Sequence, residues 1–540
     1  MKNYELNEDI LFDRVYGCWS GKCIGGNAGA PNEGNKKMFS FQQLEDLPAV
    51  HSANDDLDIQ LVWLHVLRKT GCRLDVRTLA EAWLENITFP WSEYKIARRN
   101  LARGIFPPLS GLIDNSFFRE SMGCPIRSEI WGVVAAGEPE KAAALARLDG
   151  AIDHFGFAVD AEAFLAAWLS LVLADTGNKP LTSFINDAAV IAGGEMPGFC
   201  QQVTELVQKN SELPLLWERL QTAFPSVDGM DARINVSIIL AAAWLGAGDF
   251  EKTLISALNM GYDTDCTGAT IGALLGARYG RQAMDKRILA LTEEKIRVTP
   301  YLHNLELPVT ITELTRWSLD CRKNMIAQSV PVYPPVAESI EVPSWKWQII
   351  GPLYNGHTPA VYETLSTVPF EHGSGSTLPP FSHILKTDPP ACPPYDSIKK
   401  NRGTAGMITD SIGDSVYFPA AWRRFAGGAR IIASRTVILK QTQTLYLAAR
   451  YCGKVFFFWN DEDVTLTSQV GSNRPLEHLG RVQARAGKNT VTLVLDSYGV
   501  PLAGFELSFI IDKGAHPHQH HFLMENPDSH RIAHIKDISG

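Results

Sequence analysis

Six side chains with oxygen ligands occur in three short segments of the chain and could together bind metal ions. They are Glu33, Asn54, Asp55, Asp56, Asp263 and Asp265. A set that is rich in carboxylates, poor in cysteine and free of histidine suits Mg²⁺, Mn²⁺ or Ca²⁺ better than zinc or copper. Two such ions could orient vicinal hydroxyl groups and lower the pKa of a bound water, while one carboxylate acts as acid or base. This chemistry is typical of hydrolysis at a sugar or a phosphate.

Each acidic segment could instead serve only to cap a helix. Asn54 is a plausible N-cap of the helical pattern that follows it, and an aspartate pair precedes a second such pattern. Because the positive end of a helix stabilises negative charge, a single acid at that place has a purely structural explanation. Three acids, Asp55, Asp56 and Asp58, nevertheless crowd one turn, and like charges this close repel unless a cation neutralises them. From the spacing alone, both interpretations stay open.

Two glycine ladders predict the helices that position these acids. Glycine recurs every four residues at 17, 21, 25 and 29, and again at 268, 272, 276 and 280. Since positions four apart lie one above another on a helix, each ladder forms a smooth stripe that another backbone can approach closely. Ser20 and Lys22 argue against a membrane-spanning GxxxG helix. We expect the ladders to pack antiparallel, which would bring Glu33 and the 263/265 pair to one end of a helical bundle.

Helical periodicity fills the first 330 residues, and strand-like patterns follow a proline-rich connector. Besides the ladders and the segment after Asn54, helical patterns occur at 75–87, 139–149, 158–174, 201–222, 231–246, 249–259 and 283–294. Later segments such as ARIIASRTVIL and TVTLVLD, with turns such as Asn460-Asp461, are typical of an antiparallel, jelly-roll-like β-sandwich. We predict an all-α domain at 1–328, a linker at 329–345, and a β-sandwich domain with a flexible tail at 346–540.

The bulk properties of the chain exclude several classes of protein. With 540 residues it is long enough for two or three domains. Its net charge of −9 offers no attraction to nucleic acid or anionic membranes. The N-terminus lacks a signal-peptide pattern, and we expect no membrane span. The nine cysteines are scattered without a CxxC pair, which indicates reduced thiols and a cytoplasmic protein.

Three polar residues in an apolar, alanine-rich stretch are candidates for substrate binding. They are Arg127, Glu129 and His154. Each also has an ordinary explanation, because a lone histidine in such a setting is commonly a core residue and Arg127 with Glu129 could form a simple ion pair. The histidine-rich tail around residues 516–521 lacks regular zinc spacing, so we expect a solvated tail there and no metal site.

The motifs together resemble those of the ADP-ribosylglycohydrolase family. They are the glycine ladder that ends in GAPNE, the aspartate pair that opens a helix, and the segment GYDTDCTGATIGALLGARYG, in the family's order. The segment IRSEIWGVVAAGEPEKAAALARLDGAIDH resembles a bacterial branch of this family. The resemblance implies an all-α fold with a binuclear Mg²⁺ or Mn²⁺ centre that holds the ribose hydroxyl groups.

The resemblance also assigns roles to individual residues. The implied metal ligands are Asn54, Asp55, Asp56, Asp263 and Asp265. Glu33 would be the acid beside the scissile C1″ bond or its water, and Asp56 is a second candidate catalytic carboxylate. Two positions depart from the family's pattern, because Asn54 replaces the usual threonine before the aspartate pair and Cys266 replaces the threonine after the DTD triplet. Cys266 is a soft ligand that matches Mg²⁺ poorly.

We therefore expect a metal-dependent hydrolase of a ribosyl N- or O-glycosidic bond, acting on a small riboside or an ADP-ribosyl group. One alternative is a glycosidase of a nucleoside-like or sugar metabolite, which the sandwich and Cys266 favour. Another is a relative without catalysis that only binds ADP-ribose or a sugar. The segments WKWQIIGPLYNG and KVFFFWND resemble accessory β-sandwich modules of carbohydrate-active proteins, which makes a carbohydrate a possible ligand of the C-terminal domain.

Overall fold

The computed structural model describes a helical unit and a β unit. It describes residues 7–47, 53, 55–89, 92–102, 104–113, 115, 117–175, 179–210, 212–226, 229–331, 345–354, 407–411, 415–418, 429–451, 454–464, 466–470, 476–496, 504–511 and 538–539. Asn54, most of the predicted linker and the histidine-rich tail lie outside these residues. Backbone contacts assign most residues up to Glu338 to one unit and Ser339–Gly540 to the other. The domain boundaries at 328 and 345 stay a prediction.

The first unit is helical, as the sequence predicts. Its helices in the described residues are α1 (Glu8–Gly29), α2 (Asp55–Thr70), α3 (Val76–Asn86), α4 (Ser92–Ala102), α5 (Leu109–Leu112), α6 (Glu129–Val134), α7 (Pro139–Gly150), α8 (Phe157–Ala174), α9 (Ile185–Ala192), α10 (Met196–Lys209), α11 (Leu213–Ala223), α12 (Ala232–Gly246), α13 (Phe250–Asn259), α14 (Thr264–Tyr279), α15 (Lys286–Leu289) and α16 (Ile311–Met325). Short 3-10 helices join several of them. The extended residues of this unit that the structure describes form only isolated bridges.

Two predicted helices differ from the observed ones. The pattern at 201–222 divides into α10 and α11, because Pro214 lies in the first turn of α11 and has no N–H for a continuing helix. The pattern at 283–294 contains only the short helix α15. The Asp285 side chain caps α15 by accepting a hydrogen bond from the Arg287 N–H at 2.7 Å, so the helix cannot extend back to residue 283.

Helix α8 is apolar enough to cross a membrane but lies inside the protein. Its mean hydropathy over 18 residues is 1.7, and 83% of this window is buried. Helices α6, α7 and α9 pack against it. The Phe164 and Trp168 rings on α8 have centroids 5.4 Å apart within the same core. This burial is what we expect for the core helix of a helical bundle.

The second unit contains two antiparallel sheets. Its strands in the described residues are β1 (Lys346–Tyr354), β2 (Met407–Asp410), β3 (Ser415–Tyr417), β4 (Ala429–Leu439), β5 (Gln443–Tyr451), β6 (Lys454–Trp459), β7 (Glu462–Val464), β8 (Leu466–Val470), β9 (Leu476–Ala484), β10 (Gly487–Asp496), β11 (Gly504–Ile511) and β12 (Ile538–Ser539). One sheet has the order β2-β1-β4-β10-β6-β7, with β12 also paired to β4, and the other has the order β3-β11-β5-β9-β8. Residues of both sheets, including Trp347, Leu447 and Phe505, form one hydrophobic cluster. The antiparallel β unit is as predicted, and its sandwich arrangement stays a prediction.

The turn predicted at Asn460 and Asp461 joins β6 to β7. Both residues have positive φ, 52° and 73°, as a two-residue type I′ hairpin turn requires. The sequence does not predict strand β9 (Leu476–Ala484), because polar residues and a glycine interrupt its apolar pattern. These are Glu477, His478 and Gly480. It nevertheless pairs with β5 along its whole length.

Candidate metal centre

Helices α1 and α14 pack with their backbones in direct contact along the two glycine ladders. A Cβ atom added to Gly21 would lie 2.0 Å from the Gly272 carbonyl oxygen, which is closer than any real contact. The facing pairs are Gly17 with Gly276, Gly21 with Gly272, Gly25 with Gly268, and Gly29 with Thr264. The predicted antiparallel packing is confirmed, except that Gly280 does not belong to the stripe. With a φ of 72° it ends α14.

The segment that follows α1 is held against the residues that precede α14. The Gly34 N–H donates to the Tyr262 carbonyl at 2.7 Å, and the Tyr262 N–H donates to the Asn35 carbonyl at 2.7 Å. Tyr262 has a φ of 65°, a backbone conformation that its neighbours must hold in place. This bridge brings Glu33 beside Asp263, two residues that are far apart in the sequence.

Two groups of candidate ligand atoms result, and they share Asp265. In the first, carboxylate oxygens of Glu33, Asp263 and Asp265 lie within 4.8 Å of one another. In the second, oxygens of Asp56 and Asp265 and the sulfur of Cys266 also lie within 4.8 Å of one another. The Cys266 Sγ lies 3.7 and 3.6 Å from the two carboxylate oxygens of Asp56. The structure thus brings together four of the six predicted ligands.

Asp263 occupies the N-cap position of α14 but does not cap the helix. Its side chain accepts no hydrogen bond from the helix N–H groups. The residue is 1% exposed, and neither carboxylate oxygen has a hydrogen-bond donor in the part of the chain that the structure describes. A buried carboxylate without a donor is strongly unfavourable unless it takes up a proton or binds a cation. The donor set therefore fits a metal ion with oxygen ligands.

Burial and mutual repulsion raise the pKa of these acids. Burial first, and then the charge of Asp265, raise the pKa of Glu33, Asp56 and Asp263 well above the usual carboxyl range. The same two causes raise the pKa of Asp55 to about 7, although Asp55 belongs to neither group. So many carboxyl groups at this distance can all be ionised near neutral pH only when cations neutralise them.

A buried polar network holds Asp56 in place. The Gln60 side chain donates to the Asp56 carbonyl at 2.9 Å and to Glu129 Oε2 at 3.0 Å. The Lys22 ammonium group lies 3.0 Å from the same Glu129 oxygen, and both side chains are 3% exposed. No local spacing in the sequence indicates this pair, because its two residues lie on distant segments of the chain. The predicted substrate-binding role of Glu129 stays a prediction.

Arg127 is fully buried and bonded to acids of the protein. Its Nη atoms donate to the two Asp153 oxygens at 2.9 and 2.6 Å, and its Nε donates to Asp149 at 2.9 Å. The Nδ1 atom of His154 lies 2.9 Å from the same Asp153 carboxylate. Burial alone would lower the pKa of His154, but Asp153 raises it to about 9. These contacts are structural, and the predicted substrate-binding roles of Arg127 and His154 stay predictions.

Two further acids near the centre have defined partners. Glu93 on α4 is 1% exposed, accepts a hydrogen bond from Ser121 Oγ at 2.9 Å, and contributes to the raised pKa of Asp55. The sequence does not predict Glu93 as a residue of this region, since a glutamate in a mostly polar helix carries no signal. Asp58, the third acid in the first turn of α2, accepts a hydrogen bond from the Thr299 N–H at 2.9 Å and lies in neither ligand group.

Comparisons with known proteins agree with the helical unit. The family model described as ADP-ribosylglycohydrolase matches residues 7–317. A solved structure described as an ADP-ribosylglycohydrolase-related protein complex is 21% identical over 59% of this chain and 99% of that chain, with a TM-score of 0.39. A β-glucosidase from Kluyveromyces marxianus is 14% identical over 21% of this chain and 15% of that chain, with a TM-score of 0.17. None of the curated proteins compared with the chain matches it.

Proposed function

The chain belongs to the ADP-ribosylglycohydrolase family, and from this premise we propose that it is a metal-dependent hydrolase of a ribosyl N- or O-glycosidic bond. Family membership supports a glycohydrolase. The observation that carries the metal-dependent mechanism is the state of Asp263, a buried carboxylate without a donor in the described residues, within 4.8 Å of two other acids. Only a cation or a proton makes such an arrangement favourable.

The two ligand groups support a binuclear Mg²⁺ or Mn²⁺ centre. Glu33, Asp263 and Asp265 face one position, and Asp56, Asp265 and Cys266 face the other. Asp55, the first residue of α2, and Asn54 are further proposed ligands. When bound, the ions would orient the ribose hydroxyl groups and lower the pKa of a water molecule.

Glu33 is the proposed general acid or base. It keeps partial exposure while Asp263 is 1% exposed, so Glu33 is the member of its group that substrate and water can reach. Burial and the charge of Asp265 raise the pKa of Glu33, which favours the protonated form that a general acid needs. Asp56 is the second candidate, since it lines a cleft together with Lys22, Thr292 and Arg297.

The proposed substrate is a small riboside or an ADP-ribosyl group. A glycosidase of a nucleoside-like or sugar metabolite is a second candidate, which the unusual Cys266 in the ligand set favours. We also propose that residues 346–540 form an accessory domain whose ligand is a carbohydrate. A cytoplasmic location is supported by the seven cysteines in the described residues, all of which are free thiols.

Product release from a panel of ribosides tests this proposal. The panel contains ADP-ribosyl-arginine, ADP-ribosyl-serine and simple nucleosides, each with Mg²⁺ or Mn²⁺ and with EDTA. We expect cleavage that EDTA abolishes and added metal restores. Asp55→Asn should reduce it strongly, because Asp55 is a proposed ligand. Asp58→Asn is the matched control from the same helical turn, since its asparagine can still accept the Thr299 hydrogen bond.

Two kinds of result would contradict this proposal or select an alternative to it. EDTA-resistant cleavage, or full activity of Asp55→Asn, would contradict the metal-dependent mechanism. Ligand binding in calorimetry without turnover of any panel member would select the alternative in which the chain only binds ADP-ribose or a sugar.

A further inference from the structure

We propose that the two metal positions differ in selectivity, and that the one formed by Asp56, Asp265 and Cys266 takes a thiophilic divalent cation of the Zn²⁺ type in place of a second Mg²⁺ or Mn²⁺ ion. This inference rests on the proposed function in one respect only, because the proposed function places metal ions at the acidic centre. The other position, formed by Glu33, Asp263 and Asp265, offers oxygen ligands alone and suits Mg²⁺ or Mn²⁺.

The separation of the ligand atoms matches a zinc-type ion. Zinc binds a cysteine sulfur at about 2.3 Å and a carboxylate oxygen at about 2.0 Å, so a tetrahedral ion holds the two atoms about 3.5 Å apart. The Cys266 Sγ lies 3.7 and 3.6 Å from the two Asp56 oxygens. The Cys266 sulfur and an Asp56 oxygen could therefore hold one ion with little movement of their side chains, and an Asp265 oxygen lies within 4.8 Å of both atoms.

The selectivity between metal ions follows from the ligand preferences of the Cys266 sulfur. A thiolate binds Zn²⁺, Co²⁺ and Cd²⁺ far better than Mg²⁺, which prefers oxygen ligands and retains its water. Binding replaces the thiol proton of Cys266 by the metal and releases that proton to solvent, so charge and atoms balance. Cys266 is buried, 6% exposed, which protects the resulting bond from competing water.

Asp263 gives an independent indication that a cation binds at this centre. It lies three residues before Cys266, belongs to the adjoining ligand group through the shared Asp265, and is 1% exposed. Neither of its oxygens has a donor among the described residues. The cysteine thus adjoins a carboxylate that a cation or a proton must neutralise.

Titration of the metal-depleted full chain with Co²⁺, without substrate, tests the proposal. We expect a near-ultraviolet thiolate-to-cobalt charge-transfer absorption that Zn²⁺ suppresses by competition and Mg²⁺ does not. Cys266→Thr should lose this absorption and weaken Zn²⁺ binding by more than about tenfold, while Mg²⁺ binding at the all-oxygen position persists. Cys200→Ala is the matched control, because Cys200 is also buried and lies on α10, outside both ligand groups.

The proposal fails if the wild-type protein binds Co²⁺ without charge-transfer absorption, or if Cys266→Thr leaves the preference between Zn²⁺ and Mg²⁺ unchanged. Cys266→Ser provides a second variant should the threonine prevent folding, as monitored by circular dichroism. The outcome is separate from that of the proposed function. Thiolate absorption without hydrolysis would uphold this inference alone, whereas Mg²⁺-dependent hydrolysis without the absorption would uphold the proposed function alone.

Discussion

Glu33 and Asp263 belong to the same ligand group but have different surroundings. Asp263 is 1% exposed at the start of α14, whereas Glu33 lies in a short segment after α1 and keeps partial exposure. A ligand benefits from burial because water then competes less for the ion, while a proton donor must reach the substrate. From this contrast we propose that Asp263 chiefly binds metal and that Glu33 chiefly transfers the proton.

Replacing Glu33 by glutamine separates these roles. Glutamine keeps the shape and an oxygen but cannot transfer a proton, so we expect kcat to fall by roughly 10² to 10⁴-fold with Mg²⁺ affinity largely retained. Steady-state kinetics and calorimetric Mg²⁺ titration of the variant measure both quantities. If Mg²⁺ binding disappears together with activity, Glu33 is a ligand, and if turnover is unchanged, it has neither role.

Replacing Arg127 by methionine tests whether this residue holds the core or binds substrate. The change leaves Asp149 and Asp153 buried without their cation, which should cost about 3–5 kcal/mol of unfolding free energy. Urea denaturation measures this loss. The control is Arg287→Met, because Arg287 is half exposed and its ion pairs should contribute at most about 1 kcal/mol. A raised KM with unchanged stability would instead establish substrate binding by Arg127.

The sequence identified the acids of the centre but not the residues that support them. Glu33, Asp56, Asp263 and Asp265 stand out because carboxylates cluster at helix ends beside glycine ladders. The partners Lys22 and Glu93 could not be found in this way. Their contacts join segments that are distant in the chain, such as Lys22 with Glu129, and no local spacing encodes which charges will meet.

Helices α1 and α14 form the element on which the centre depends. Their close approach follows from residue type, since glycine alone leaves room where a Cβ would lie about 2 Å from a facing carbonyl oxygen. The approach sets the ends of the two helices side by side. Glu33, which follows α1, and Asp265, in the first turn of α14, thereby enter one ligand group.

Replacing Gly21 by alanine should separate these helices. The added methyl group meets the Gly272 backbone, so we expect a loss of about 1–3 kcal/mol or more of unfolding free energy and weaker Mg²⁺ binding. Gly198→Ala is the control. Gly198 lies within α10 with nothing within 4 Å of its added Cβ, and alanine there should stabilise the protein by up to about 1 kcal/mol. Thermal denaturation of both variants checks the contrast, and equal effects would contradict it.

Elements with a strong local pattern were predictable, and those that depend on distant contacts were not. The ladders, α8 and β10 follow from periodicity that a short stretch contains in full. Strand β9 lacks such a pattern and exists because β5 provides hydrogen-bonding partners along its length. The pairing of β4 with β10, strands that are far apart in the chain, is likewise set by the whole sheet.

At the scale of the whole molecule, the composition change near residue 330 predicts two units, and the structure has two. The acidic centre and the Arg127 network both lie in the helical unit. The raised carboxyl pKa values of the centre and the lowered pKa of Asp153 in the network affect the stability of the folded chain in opposite directions and in different pH ranges.

The metal-free protein should lose stability as pH rises from about 5 to about 8. The pKa of Asp55 is raised to about 7 and those of Glu33, Asp56 and Asp263 are also raised, so the folded state binds more protons than the unfolded state in this range. His154, with a pKa raised to about 9, acts in the same direction, since its stabilisation is complete below its unfolded pKa and is lost as pH rises.

Thermal denaturation across this pH range, with EDTA and with saturating Mg²⁺, measures the effect. The Asp153 carboxyl has the opposite effect on stability, but only at low pH. Its pKa is about 2 in the folded state and about 4 in the unfolded state, so the stabilisation it gives is lost only as the pH falls through this range. Bound metal neutralises the acids and should flatten the profile. A melting temperature that rises with pH in EDTA would contradict the raised pKa values of the acids in the metal-free protein.

Calorimetric titration of the metal-depleted full chain with Mg²⁺ tests the central claim most directly. The comparison is between the wild-type chain, Asp263→Asn and Asp249→Asn, because Asp249 is a helix N-cap that does cap, accepting a hydrogen bond from the Lys252 N–H at 2.7 Å. Asparagine caps equally well, so we expect unchanged Mg²⁺ binding for Asp249→Asn and a loss of roughly 100-fold in Mg²⁺ affinity for Asp263→Asn. Equal binding in all three proteins, or no binding by the wild type, would contradict a metal centre at these acids.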